Sequence, residues 1–165
     1  MDDLNILLTH HTLFIDNKYE DIASLFCNTS GFDKTKTKNR YLLPTWYDGY
    51  IYTSLLGIIT NNREKYSKKV EKTRTWSSNY LDQYKYVIAN LLSRKDILNE
   101  LKILNYEDLF NDNFKIENTI DEIKNICDEF SIGGLKYLSE LYENDNSIFS
   151  DYDSLIKIFI EAKEK

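Results

Sequence analysis

A chain of 165 residues, 42% hydrophobic and 29% charged, is long enough to close one core and too apolar to be disordered. Its two cysteines, Cys27 and Cys127, lie in apolar surroundings without a second cysteine or a histidine at ligand spacing, which excludes a disulfide scaffold and predicts buried reduced thiols. The net charge of −6 hides a division: Asp33 to Arg74 carries ten Lys/Arg against four Asp/Glu, and Asp96 to Asp153 carries four against fifteen. Such a division marks either an electrostatic partner or two parts of one protein that attract each other.

The start, "MDDLNILLTHH", is acidic and lacks the basic and apolar regions of a signal peptide. No apolar run approaches the ~18 residues of a membrane span, so the expectation is a cytoplasmic protein with no membrane contact. His10 and His11 are adjacent, diverge in a helix or a strand, and have no partner at metal-ligand spacing. The pair therefore predicts no metal and no cofactor. "HHTLFI" reads as a short strand or as the end of a first helix. A loop follows near 28–40, where "DKTKTKNR" places Lys34, Lys36, Lys38 and Arg40 at every second position.

The segment 41–63, "YLLPTWYDGYIYTSLLGIITNNR", holds the chain's only proline and reads as a tyrosine-rich central helix with Pro44 in its first turn. Trp46, Tyr50, Leu55 (or Thr53) and Ile58 recur at roughly helical spacing. Gly49 and Gly57 each cost a helix about 1 kcal/mol relative to alanine, and close approach of another helix backbone is the simplest compensation. "NNR" is a plausible stop. The next loop, 62–77, contains "REKYSKKVEKTRTW" and adds Arg63, Lys65, Lys68, Lys69, Lys72 and Arg74 beside Trp76. Cations neutralise phosphates and an interleaved ring can stack on a base, so Lys34, Lys36, Lys38, Arg40, these six cations and Trp76 form the candidate nucleic-acid-binding set. The same stretches also read as solvated polar loops, and a pI near 5.0 is low for a dedicated nucleic-acid binder.

Helical periodicity dominates the rest. In 79–94, Leu81, Tyr84, Val87, Ile88, Leu91 and Leu92 share a face; in 95–105, Ile97, Leu98, Leu101 and Leu104 do. After a loop at 111–114, residues 116–130 place Ile116, Ile120, Ile123 and Cys127 on one stripe with Ile126 and Phe130 beside it. Gly133 and Gly134 in "FSIGGLKYL" predict a helix break or a tight crossing. A last helix over 151–165, capped by Ser150 or Asp151, turns Leu155, Ile156, Phe159 and Ile160 inward. The expected fold is all-α: a single domain of six to eight helices around the tyrosine-rich helix. Its divisions fall at 1–40 (N-terminal helices and basic loop), 41–110 (central helices) and 115–165 (acidic helices). No nucleotide loop, zinc motif or nucleophile elbow occurs, and no catalytic residues are assigned.

The order of an aromatic-rich first block, a middle helix and an acidic block ending "DEFSIGGLKYLSELYE" resembles small helical proteins encoded beside bacterial DNA-phosphorothioation (Dnd) and related phage-defence systems. Thr45, Asp48, Gly57 and Arg63 match the first block; Glu129, Phe130, Ser131, Gly133, Gly134 and Leu135 match the second. The resemblance spans roughly residues 41–145, with a first block richer in tyrosine and poorer in arginine than the pattern. It implies a non-enzymatic accessory subunit of a defence or DNA-processing complex, docked on a larger nuclease or ATPase subunit, with DNA or RNA contact through the basic region as a further expectation. The alternative reading is a stand-alone nucleic-acid-binding regulator that uses residues 33–76.

Overall fold

In the computed structural model, residues 8–29, 41–73, 75–76, 78–103 and 116–164 are described, with 116–118 as backbone only. The elements run β1 (Leu13–Asp16), a 3-10 turn (Asn17–Tyr19), α1 (Glu20–Phe26), α2 (Trp46–Thr60), β2 (Lys69–Thr73), a second 3-10 turn (Ser78–Tyr80), α3 (Leu81–Leu92), α4 (Lys95–Glu100), α5 (Ile116–Asn144) and α6 (Tyr152–Lys163). The fold is mainly α, and the all-α expectation is corrected by one antiparallel ladder. It pairs Phe14 with Glu71, Ile15 with Val70 and Asp16 with Lys69, and the register shifts before Leu13 meets Thr73. The strand over 69–73 lies inside the stretch read as loop.

A single buried side chain holds this ladder at its turn end. Asp16 accepts hydrogen bonds from the Ser67 backbone N–H, from Ser67 Oγ (2.7 Å) and from the N–H of Lys18 (3.1 Å). Burial raises its pKa, but these bonds outweigh burial and hold the carboxyl below its ordinary value. No alternating pattern announces β2; a polar cap contributed from 51 residues upstream holds it.

Helix α2 begins at Trp46 because Thr45 caps it. Thr45 Oγ1 accepts from Asp48 N–H, and the Asp48 carboxylate accepts from Thr45 N–H at 3.1 Å, a reciprocal capping box. Pro44 therefore lies one residue outside the cap rather than in the first turn. The helix ends at Asn61, whose left-handed conformation (φ 52°) is one that asparagine tolerates. Tyr50, Thr53, Leu56 and Gly57 are buried, and Ile51, Tyr52, Leu55 and Ile59 pack half-buried around them. A helix apolar on most sides belongs in the middle of a core, and α2 touches α3, α5 and α6.

Helix α5 is continuous through its paired glycines and spans about 43 Å at 1.5 Å per residue. It crosses α2 at glycine on both sides. A Cβ on Gly57 would overlap the Phe130 carbonyl oxygen, one on Gly134 the Thr53 carbonyl oxygen, and one on Gly133 the Asn62 carbonyl oxygen. Between them, Thr53 Oγ1 and Ser131 Oγ hydrogen-bond at 2.8 Å. Gly49 serves a different purpose: its missing Cβ leaves room for Cys27 Sγ and the Trp46 ring. Helix α4 is shorter than the 95–105 periodicity predicts, because the chain turns through Lys102 at φ 58°. Ile97, Leu101 and Ile103 are still buried there.

Candidate functional site

Three places in the fold carry the polar and apolar groups from which a function can be built. The first is internal. His11 enters the core from the segment before β1 while His10 remains exposed. His11 Nδ1 lies 2.6 Å from Tyr84 Oη, and Nε2 lies 3.1 Å from Asp128 Oδ1, which also accepts from Tyr50 Oη at 2.8 Å. With its proton on Nε2, the ring satisfies both neighbours: it donates to Asp128 and accepts from Tyr84. Burial, then the Asp128 carboxylate, pushes the Tyr50 hydroxyl well above its ordinary pKa; burial, then Cys127 and Asp128, does the same at Tyr84. Both hydroxyls therefore remain donors. Trp76 stacks on Tyr84 with ring centres 4.3 Å apart and planes 5° apart.

A hydroxyl, an imidazole and a carboxylate in series are the parts of an acid–base relay. Here His11, Tyr84 and Asp128 are 6%, 0% and 4% exposed, so the three groups serve one another within the core. The arrangement joins the N-terminal segment to α2, α3 and α5. Asp128 is 117 residues from His11, so no local spacing announces the pair; its one sign in the sequence is a carboxylate beside Cys127 on an apolar stripe. Cys27 and Cys127 are free and buried, and burial pushes both thiols up.

The second place is the cationic segment, and its described members are not all free to meet a phosphate. Arg63 Nη1 pairs with Glu100 at 2.5 Å and its Nε with Glu129 at 2.5 Å, so the guanidinium is already held by two carboxylates. Lys72 pairs with Glu20 and is 10% exposed at the side chain. Lys69 lies over the rings of Phe14 and Tyr66 at 4.9 and 4.7 Å, while Lys65 and Lys68 are exposed. Trp76 is 3% exposed, so its ring is withdrawn from any base that would stack on it. Lys34, Lys36, Lys38, Arg40 and Arg74 lie outside the described residues. Arg63 bridging to α4 and α5 shows that part of the charge division is spent within the molecule.

The third place is α6, where the expected inward face is corrected. Asp151 caps the helix by accepting from Ser154 N–H at 2.8 Å, and Leu155, Ile158 and Ala162 are buried. Tyr152, Ile156 and Ile160 are instead 56%, 45% and 54% exposed, at i, i+4 and i+8 on one outward stripe. The helix carries two adjacent apolar stripes, and contact with α2 can bury only one. Tyr52 Oη donates to the Leu155 carbonyl at 2.9 Å and fixes which one. Beside the outward stripe runs a shallow groove lined by Leu43, Tyr52, Leu155 and Phe159 together with Tyr152, Ile156 and Ile160. Leu43 is held there by a single parallel bridge to Cys27.

Among the described residues there is no group of three or more His, Cys, Asp or Glu that could hold a metal ion, and no helix long and apolar enough to cross a membrane. No family model, curated protein or solved structure matches this chain.

Proposed function

We propose that this chain is a non-catalytic helical docking subunit that binds a larger protein through the outer face of α6. The observation that carries the reading is the unburied stripe Tyr152, Ile156 and Ile160 beside an apolar groove. Contiguous apolar surface of this kind on a stable fold marks interaction sites more often than accident. The sealed position of the His11, Tyr84 and Asp128 cluster supports a role without catalysis. The resemblance of residues 41–145 to small proteins of phosphorothioation and phage-defence systems supplies the setting: a bacterial antiphage or DNA-processing assembly in the cytoplasm, with a nuclease or ATPase as the larger subunit. Co-expression with the neighbouring genes, followed by size-exclusion chromatography, tests it. One neighbour should co-elute with the wild-type chain and separate from an Ile156→Asp chain. A chain that elutes alone beside every neighbour removes the reading.

The alternative is a nucleic-acid-binding regulator, favoured by the exposed lysines Lys65, Lys68 and Lys69 on one segment. Phosphate-mediated binding weakens steeply with salt. A mobility-shift assay at low salt decides it, and no shift at tens of micromolar protein ends it.

A further inference from the structure

Tyr80, Tyr47, Trp76 and Tyr84 form one aromatic path from the edge of the fold to the cluster around His11. Tyr80 stacks on Tyr47 with ring centres 4.9 Å apart, Tyr47 lies 5.2 Å from Trp76, and Trp76 lies flat on Tyr84 at 4.3 Å. Tyr47 and Tyr80 are half-buried, whereas Trp76 and Tyr84 are buried. Indole and phenol rings give up single electrons readily, and rings in contact pass the resulting vacancy along. Loss of an electron makes a phenol strongly acidic, so the vacancy settles where a base stands ready for the proton.

On this path Tyr84 has that base. Its Oη is 2.6 Å from His11 Nδ1, the nitrogen left without a proton when Nε2 donates to Asp128. The Asp128 carboxylate then offsets the imidazolium charge within the core. The other rings are worse placed. Trp76 Nε1 has no acceptor among the described residues, so an indole vacancy keeps its proton and moves on. Tyr47 donates to the Thr75 carbonyl, which cannot hold a proton. Tyr80 donates to Asp48 and Tyr50 to Asp128, and a carboxylate is ordinarily a weaker base than imidazole.

We infer that this chain carries a redox-active tyrosine: Tyr84 holds a one-electron vacancy that enters at Tyr47 or Tyr80 and crosses Trp76. A radical oxidant at the surface takes the electron and is reduced. The Tyr84 O–H bond breaks, its proton forms an N–H bond at His11 Nδ1, and a neutral phenoxyl radical remains beside an imidazolium–carboxylate pair. Electron transfer needs no substrate next to Tyr84, and burial keeps the radical from coupling with another. The inference is independent of the α6 docking face.

Flash oxidation of the full chain by a photo-excited ruthenium polypyridyl complex and a sacrificial acceptor supplies the oxidant. Electron paramagnetic resonance of freeze-trapped samples reads the radical. The expected product is one neutral tyrosyl species, lost almost entirely in Tyr84→Phe and retained in Tyr86→Phe, which changes a tyrosine 70% exposed on α3. Trp76→Phe should lower its yield. Should a core variant fail to fold, the unsubstituted protein labelled with nitrogen-15 histidine gives a second reading. Electron–nuclear double resonance should show the radical coupled to a histidine nitrogen. A tyrosyl signal indifferent to Tyr84→Phe in a folded chain, or one without histidine coupling, overturns the inference. An unchanged yield in Trp76→Phe overturns the path. Oxidation at Cys127, whose thiol also faces the Tyr84 hydroxyl, with no tyrosyl radical trapped, overturns Tyr84 as the holder of the vacancy.

Discussion

Asp16 and Asp128 are the two carboxylates on which the least predictable parts of the fold depend. Asp16 ties β1 to Ser67 and Lys68 across 51 and 52 residues. Its folded pKa is depressed from the ordinary 3.8, so the stabilisation it supplies is complete above that value. It is lost as pH falls from about 4 through the lower folded pKa. Asp16→Asn should cost about 1–3 kcal/mol at neutral pH, because an amide nitrogen then faces the Ser67 N–H. The same substitution should flatten the fall in stability below pH 4, a comparison that acid titrations of both chains by circular dichroism would make directly. Around Asp128 the predicted pattern is one of shared loss. Tyr50→Phe removes one donor to a buried carboxylate and should cost about 1–3 kcal/mol. A double-mutant cycle between His11 and Asp128 should show strong coupling, since either single change strands the other group. Additive denaturant stabilities would mean that the 3.1 Å approach contributes nothing. Neither pair was legible in the sequence. Each joins residues far apart in the chain, and nothing in a carboxylate's immediate neighbours announces a distant donor.

At the scale of elements, the crossing of α2 and α5 accounts for the residues on which the resemblance rests. Thr45 and Asp48 form a capping box, Gly57 and Gly134 admit a carbonyl from the facing helix, and Arg63 reaches Glu129 beside the crossing. Those residues thus have structural work that requires no ligand. The glycines were legible because a mid-helix glycine is costly unless something approaches it, and Gly57 meets α5 as its position implied. The opposite sign of two effects makes this testable. On an exposed face Gly57→Ala would stabilise the helix by up to about 1 kcal/mol; at this crossing it should overpack and cost about 1–3 kcal/mol. A thermal melt in which Gly57→Ala unfolds above the wild type would contradict the crossing. Helix α6 was legible in its start and period but not in its orientation. With apolar residues at 155, 156, 158, 159 and 160, periodicity allows two faces, and only the Tyr52 hydrogen bond and the packing on α2 choose between them.

For the whole molecule, the charge division has two destinations. Part is consumed internally, by Arg63 with Glu100 and Glu129. The Arg63 guanidinium lowers the Glu100 carboxyl in return. Arg63→Ala should therefore reduce stability without altering any nucleic-acid affinity, whereas a mobility shift of the wild-type chain lost with Arg63→Ala would show that the guanidinium is free to meet phosphate. The remainder includes the exposed carboxylates on and beside α6, of which Glu161 has Lys157 at 3.7 Å. A docking role for α6 requires its outward stripe to be surplus to the fold. Equilibrium unfolding in urea of the Ile156→Ser, Ile160→Ser chain measures this directly. Unfolding free energy within about 0.5 kcal/mol of the wild type, the range of ordinary surface changes, is the predicted result. A loss of about 2 kcal/mol or more, as buried aliphatic truncations produce, would show that the stripe belongs to the core and that no docking face exists there.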